Sequence, residues 1–340
     1  IVEQEIAAAG FDLIVVDEAS AYKSVQTTRW KTLNRLLTPQ TWLWMLTGTP
    51  AAQSPVDAYG LAKLVCPDRV PRFFNAFKDM VMTKVSTFRW VPKGGADRIV
   101  HSVLQPAIRY TKKECLDLPD ILYTAREVTM SPQQKKYYEQ LKKQLVVQAA
   151  GEAITATNAA VGLNKLLQIS SGAAYTDTGE TLQFDITPRY NVLREVIDES
   201  QHKLLVFVPF KHAIRLLHEK LTADGFSVGV IAGHVSAGAR AELFRQFQSE
   251  PDPRILLIQP QAAAHGVTLT AADTIVWWGP VFSLETYLQA NARAHRVGLR
   301  HPVTVVRLQG SPAERHVYRA LDNRHGENEK LVELYKQLLE

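Results

Sequence analysis

The stretch FDLIVVDEAS (Phe11–Ser20) carries apolar residues straight into two carboxylates, Asp17 and Glu18. Leu13 to Val16 are apolar without interruption, which reads as a strand buried inside a parallel sheet, because such strands are covered on both faces. The carboxyl end of that strand is where open α/β sheets bind ligands, so Asp17 and Glu18 are delivered to a candidate site. Ionised carboxylates there can hold magnesium through water and orient an attacking water on a terminal phosphate. A solvated acidic turn fits the same two residues, and the strand by itself does not choose.

Working outward, six further apolar runs share the pattern: WLWML from Trp42, KLLVFV from Lys203, VGVI from Val228, RILLI from Arg254, TIVWW from Thr274 and VTVVRL from Val303. Five of the seven runs lie after residue 200, separated by KHAIRLLHEKL and ARAELFRQFQ, whose apolar residues recur every three or four positions. SLETYLQANARAHRV reads as one helix opened by Ser283 as N-cap. The second half therefore holds enough strand and helix pairs for a complete doubly wound domain, and the first half too few. A boundary is expected between Leu118 and Met130, where strand-like ILYTAREVTM leads into SPQQKKYYEQLKKQL. Ser131, Pro132 and Gln134 there match an N-cap, a first helical position and a capping-box partner. VPKGGAD (Val91–Asp97) and SGAAYTDTGE (Ser171–Glu180) read as loops.

Composition narrows the class only slightly. Thirty-nine basic against 34 acidic residues give a net charge of +5, which excludes neither nucleic-acid binding nor its absence. No apolar run approaches a membrane span, and Ile1 to Gly10 lacks the features of a secretion signal, so a cytoplasmic protein without a membrane partner is expected. Cys66 and Cys115 have no Cys or His at ligand spacing and read as packing residues.

Two further motifs bear on the Asp-Glu pair. LTGTP (Leu46–Pro50) follows another strand-like run, so Thr47 and Thr49 would present hydroxyls beside Asp17 and Glu18 if the two strands are neighbours. QANARAHRVG (Gln289–Gly298) spaces Gln289, Arg293 and Arg296 by four and three, which on a helix puts two guanidiniums and an amide on one face. Such a surface suits phosphate oxygens. Trp277 and Trp278 read as core rather than as a stacking platform for a base, His265 is as readily idle as phosphate-binding, and Thr111–Cys115 reads as a solvated helix face.

VVDEAS, LTGTP, QAAAHGVTLTAADTIV and QANARAHRVG, in that order, resemble motifs II, III, V and VI of the DEAD/DEAH-type superfamily-two helicases, and more narrowly the Swi/Snf-type DNA translocases, including their compact phage and bacterial versions. PVDAYGLAKLVCP, IRYTKKECLDLP and KLLVFVPFKHAIRLL resemble intervening segments of that group. The resemblance implies an α/β chain of two RecA-like parallel-sheet lobes, a P-loop NTPase helicase core. Residues 1–120 would form the carboxyl-terminal part of an incomplete first, ATP-binding lobe. Residues 121–340 would form a complete second lobe, with a helical insertion near 131–170. Implied cofactors are ATP and Mg2+, and the implied partner is nucleic acid, above all double-stranded DNA, together with other phage or replication and repair proteins.

Carried over by residue, the resemblance gives Asp17 the magnesium, through water, and Glu18 the attacking water. Thr47, Gly48 and Thr49 would couple hydrolysis to lobe movement. Gly266 and Thr268 would sit where the cleft meets the DNA backbone. Gln289, Arg293 and Arg296 would complete the catalytic site, with Arg296 as arginine finger. The chain departs from the group at Ala263-Ala264, where a double glycine is usual, and at Ala292, Leu299 and Ser20. It also contains no G-x-x-x-x-G-K-[ST] and no Gly-Lys pair, so no phosphate loop. With Ile1 in place of a methionine and few strands in the first half, the expectation is a chain beginning after that loop and inactive alone. A non-catalytic nucleic-acid-binding or assembly module of the same fold is the alternative.

Overall fold

The computed structural model describes residues 2–48, 50–51, 54–85, 90–110, 112–151, 156–175, 180–263, 267–299 and 301–322. It divides into two compact units, Ile1–Tyr110 and Thr111–Glu340, where the sequence suggested a division at 120/121.

In the first unit β1 (Leu13–Val16) and β2 (Trp42–Met45) pair in parallel, Leu13 opposite Trp42 and Val16 opposite Met45. Successive side chains of a strand alternate between faces, and here only one face is covered. Ile14, Val16, Leu43 and Met45 pack with Leu33, Leu61 and Leu64. On the other face Leu13, Val15, Trp42 and Trp44 are 41–71% exposed. The expected buried strand is thus half-covered, because helices of this unit lie against a single side of a two-stranded sheet. An antiparallel hairpin, β3 (Met82–Lys84) and β4 (Trp90–Pro92), accompanies helices Ala58–Val65, Phe74–Val81 and Ala96–Val103 around a second cluster centred on Tyr59, Phe77 and Val81. VPKGGAD, read as a loop, contributes to β4 and to the start of the last of these helices.

Helix Ala58–Val65 lies directly on the turn that follows β1. A methyl group added at Gly60 would come within 2.3 Å of the Lys23 carbonyl oxygen and 2.4 Å of that of Tyr22. The Gly60 carbonyl meanwhile accepts a 2.8 Å hydrogen bond from the Trp30 indole. Both neighbours are backbone and cannot rotate away, so Gly60→Ala is expected to destabilise the first unit by about 2–3 kcal/mol. A denaturant midpoint that does not move would show that the helix slides freely on this turn.

The second unit is a six-stranded parallel sheet. Its strands are β5 (Ile121–Glu127), β8 (Lys203–Phe207), β9 (Val228–Ile231), β10 (Ile255–Ile258), β11 (Ala272–Trp277) and β12 (Val303–Gln309), in the order β5-β12-β11-β8-β10-β9. Between β5 and β8 in the chain lie β6 (Ala173–Tyr175) and β7 (Thr181–Gln183), an antiparallel pair where SGAAYTDTGE suggested a loop. Leu205, Phe207, Leu256, Ile258, Ile275 and Trp277 belong to the core on one face of the six-stranded sheet. Leu204, Val206, Ile255, Leu257, Val276 and Trp278 belong to the other. Burial on both faces explains why these strands are continuously apolar in sequence. It also settles the tryptophan pair: Trp277 and Trp278 are fully buried, their indoles donating to the Asn291 side chain and the Ser171 carbonyl, each at 2.9 Å.

Helix Pro132–Gly151 opens with the capping box that its sequence announces. Gln134 N–H donates to Ser131 Oγ at 3.2 Å and Ser131 N–H to Gln134 Oε1 at 3.0 Å. With helix Ala156–Ser171 it forms the helical insertion. Cys66 is half-buried and donates its thiol to the Gln105 carbonyl, whereas Cys115 is exposed, which corrects its reading as a packing residue. The short helix Lys112–Cys115 ends at the surface, where Glu114 and Cys115 are exposed. No helix among the described residues is long and apolar enough to cross a membrane.

A fully buried ion pair lies beyond the carboxyl ends of β11 and β12. Arg189 contacts both Glu314 oxygens at 2.6 and 2.7 Å, with side chains 3% and 0% exposed. Arg189 also donates to the Trp278 carbonyl. Glu314 Oε2 accepts from the backbone N–H of Gly310 and Ser311 and from the Ser311 hydroxyl. The Ser170 hydroxyl bonds Ser311 Oγ at 2.9 Å, and Ala313 N–H donates to the Tyr138 hydroxyl, so the insertion is tied to the same knot.

Candidate functional site

In the first unit the parallel pairing of β1 and β2 brings the two carboxyl-end turns together. Val16 and Met45 are register partners, so Asp17-Glu18 and Leu46-Thr47-Gly48 leave neighbouring strands side by side. Leu46 N–H donates to the Val16 carbonyl at 2.8 Å and Ala19 N–H to the Leu46 carbonyl at 2.9 Å, which locks one turn to the other. Ala19 is fully buried. Glu18 adopts the left-handed region, with φ 52° and ψ 50°, and no other described non-glycine residue has positive φ. That conformation costs a non-glycine residue of order 1–2 kcal/mol; it is held by Ala19 on one side and by the Asp17 side chain on the other, whose Oδ1 accepts Glu18 N–H at 2.9 Å. Asp17, Glu18 and Gly48 are exposed, and Thr47 is half-buried. Thr49 lies outside the described residues.

This donor set fits a magnesium ion that keeps most of its waters. Mg2+ is commonly bound by one or two carboxylates plus phosphate oxygens rather than by an all-protein cage, and an exposed Asp17 at a strand end beside a threonine offers that much. No group of three or more His, Cys, Asp or Glu side chains able to hold a metal occurs among the described residues.

In the second unit the expected single helix is shorter than its sequence suggested. It runs Leu284–Asn291, with Ser283 capping it by accepting Thr286 N–H at 3.2 Å. Gln289 is on it, half-buried and bonded to Glu285. Arg293 and Arg296 lie beyond its end and do not share a helical face with Gln289, which corrects that expectation. Their N–H groups reach back only to the Ala290 and Ala294 carbonyls, and Gly298 at φ 96° completes the turn. Beyond the helix, Leu269 N–H donates to the Arg293 carbonyl at 2.8 Å, pinning the turn to the segment after residue 266. The two arginines consequently differ: Arg293 is 8% exposed, while Arg296 is exposed. Thr268 is exposed in that same segment, and Gly266 and His265 lie outside the described residues.

Sequence reading missed the contacts that hold these turns. Ala19, Gly60 and Leu269 lie inside the family-like segments without a role assigned to them, and the Arg189–Glu314 pair carries no motif. A glycine inside a helical pattern was the single available signal, at Gly60.

A six-stranded parallel sheet buried on both faces makes the second unit an α/β core, and the RecA-like lobes of SNF2 ATPase cores share its fold. Two family models match the chain: the SNF2-related domain over residues 2–172 and the helicase conserved C-terminal domain over residues 188–298. The chain belongs to the SNF2-related family.

It is similar to the "Chromodomain-helicase-DNA-binding protein 1-like" of Danio rerio, 27% identical over 319 residues, 88% of this chain and 29% of that protein. It is also similar to the "SWI/SNF-related matrix-associated actin-dependent regulator of chromatin subfamily A-like protein 1" of Xenopus tropicalis, 25% identical over 311 residues, 88% of this chain and 31% of that one. The chain therefore spans under a third of the length of these relatives. Among solved structures, the Sulfolobus solfataricus SWI2/SNF2 ATPase core in complex with dsDNA shares the fold, with a TM-score of 0.51 at 20% identity, over 94% of this chain and 68% of that one. The SNF2 match replaces the broader DEAD/DEAH label, and these relatives give no support to a phage lineage.

Proposed function

We propose that this chain supplies the carboxylate turn and the arginine turn of a two-lobed, ATP-driven motor that moves on double-stranded DNA. The observation that carries the reading is the parallel pairing of β1 with β2, which sets Asp17, Glu18 and Thr47 side by side in a member of the SNF2-related family. Bound Mg2+ would neutralise phosphate charge. Asp17 would hold it through water, and Glu18, aimed by its left-handed backbone, would orient the attacking water. Thr47, bonded through its neighbour Leu46 to the same turn, would pass the presence of the terminal phosphate to the lobe, with Gly48 and Thr49. Arg296, exposed, is the finger; Arg293, buried, shapes the turn that presents it, and Gln289 supports the same side. Gly266 and Thr268 would meet the DNA backbone.

The sequence has no phosphate loop within its 340 residues, and this favours a second reading, a module that binds nucleic acid or an assembly without hydrolysing ATP. ATP hydrolysis measured with no nucleic acid, single-stranded DNA, duplex DNA and RNA decides between them. It is to be run on the 340-residue chain and on the chain extended by its upstream coding sequence. The motor reading expects duplex-stimulated turnover in the extended chain and none in the 340 residues alone. Stimulation by RNA alone, or turnover by the short chain that Glu18→Gln abolishes, would refute it in this form.

A further inference from the structure

The turn that carries Arg296 lies beyond the end of helix Leu284–Asn291 and has no helical ladder to orient it. Within it, His295 N–H donates to the Asn291 carbonyl at 3.1 Å, Arg296 N–H to the Ala294 carbonyl at 2.9 Å and Leu299 N–H to the Arg296 carbonyl at 3.2 Å. Ala294 is fully buried and Leu299 packs against the core, whereas Arg296, Val297 and Gly298 are exposed. Two contacts from elsewhere in the fold reach this turn. One is Leu269 N–H on the Arg293 carbonyl. The other is made by His295, which has no part in the hydrolytic set: its Nε2 lies 2.8 Å from the Pro119 carbonyl oxygen, 176 positions away in the chain.

A carbonyl oxygen only accepts, so Nε2 of His295 carries the hydrogen and donates it, which fixes the tautomer together with the ring. His295 and Pro119 are both half-buried. Pro119 belongs to residues 111–120, through which the chain passes from the first unit to β5. The next carbonyl, that of Asp120, accepts Val303 N–H at 3.1 Å, so the end of this stretch is itself bonded to the start of β12. The imidazole therefore fastens the arginine turn to a held point of backbone at the entrance to the sheet.

We infer that His295 is a positioning residue: by donating to the Pro119 carbonyl it holds the turn so that the neighbouring Arg296 is presented in one direction. The inference rests on the motor reading, in which Arg296 stabilises charge in phosphoryl transfer. Leu269 holds the turn at Arg293, three residues before the arginine, and His295 holds it at the residue adjoining the arginine. Transfer is sensitive to placement of this kind, since a displacement of about 1 Å costs on the order of 10²-fold in rate. His295 touches no reacting group in this reading, and its whole effect passes through Arg296. The bond also makes residues 111–120, which join the two units in the chain, part of what sets the arginine.

Duplex-stimulated turnover of the extended chain tests this. His295→Leu, which removes the donor, is expected to lower kcat about 10- to 100-fold and to leave KM for ATP within about twofold. His295→Gln, whose amide nitrogen reaches the place of Nε2, should keep kcat within about threefold of the parent. In an Arg296→Ala background His295→Leu should cost no further activity, because residues that act through one group are not additive. His295→Ser, polar but too short to reach Pro119, should behave as His295→Leu does and covers the case in which the leucine variant fails to fold. In the 340-residue chain, trypsin cleavage after Lys112 and Lys113 should rise about fivefold in His295→Leu, the factor expected for one hydrogen bond, whether or not that chain hydrolyses ATP. A parent without duplex-stimulated turnover would overturn the motor reading and this inference with it. A parent that turns over, with His295→Leu equally fast or equally costly in the Arg296→Ala background, would overturn the inference alone. So would unchanged trypsin cleavage.

Discussion

Glu314→Ala is expected to destabilise the second unit by about 3–5 kcal/mol, the cost of breaking a buried ion pair by removing one partner. The substitution strands the Arg189 guanidinium, 3% exposed, and leaves the Gly310 and Ser311 N–H groups without the oxygen that now accepts them. Glu314→Gln keeps the shape and half of the acceptors, so a smaller loss is expected. Arg189→Met combined with Glu314→Leu should recover only part of the stability. An apolar pair removes the stranded charge but still leaves those two backbone donors and the Trp278 carbonyl unmet. Denaturant midpoints of the four proteins check this order. A double variant as stable as the parent would mean that the backbone donors find water instead. Because Ser170, Ser311 and Tyr138 share the knot, the single substitution should also raise protease sensitivity in the insertion, residues 132–171.

Arg296→Ala is expected to lower duplex-stimulated turnover of the extended chain by about 10³-fold, the lower range for an arginine that stabilises charge in phosphoryl transfer. Its side chain is exposed, so the melting temperature should stay where it is. Arg293→Ala should lower turnover and melting temperature together, since Arg293 is 8% exposed in the turn whose carbonyl holds Leu269. The contrast between the two variants is the test. If Arg293→Ala loses turnover with unchanged melting while Arg296→Ala keeps its activity, the roles of the two arginines are exchanged.

Much of the second unit is legible in its sequence. Its strands are covered on both faces, so an unbroken apolar run and a buried strand are the same statement, and KLLVFV, RILLI and TIVWW each became one. Ser131 with Gln134, and Ser283, capped the helices that their spacing announced. The first unit followed the same rule less well. FDLIVV has the composition of a doubly covered strand but is covered on one face, because coverage depends on what packs there and not on the strand's own residues. The arginine turn was misread for a related reason. Periodicity alone carries QANARAHRV through as a helix, whereas the helix ends at Asn291 and the turn beyond it is held by a tertiary contact, Leu269 N–H on the Arg293 carbonyl. Buried pairs such as Arg189 with Glu314, 125 positions apart, leave no local trace at all.

The half-covered sheet of the first unit also has an optical consequence. Trp42 and Trp44 are 71% and 58% exposed, whereas Trp277 and Trp278 are fully buried. Emission excited at the indole band should therefore contain a red-shifted fraction open to a neutral quencher and a blue-shifted fraction closed to it. Whatever comes to cover the open face of β1 and β2 shifts the first fraction and leaves the second unchanged. Trp30 and Trp90 of the first unit are half-buried, so the open fraction alone belongs to one place, the uncovered face of β1 and β2, and reports on it without a label.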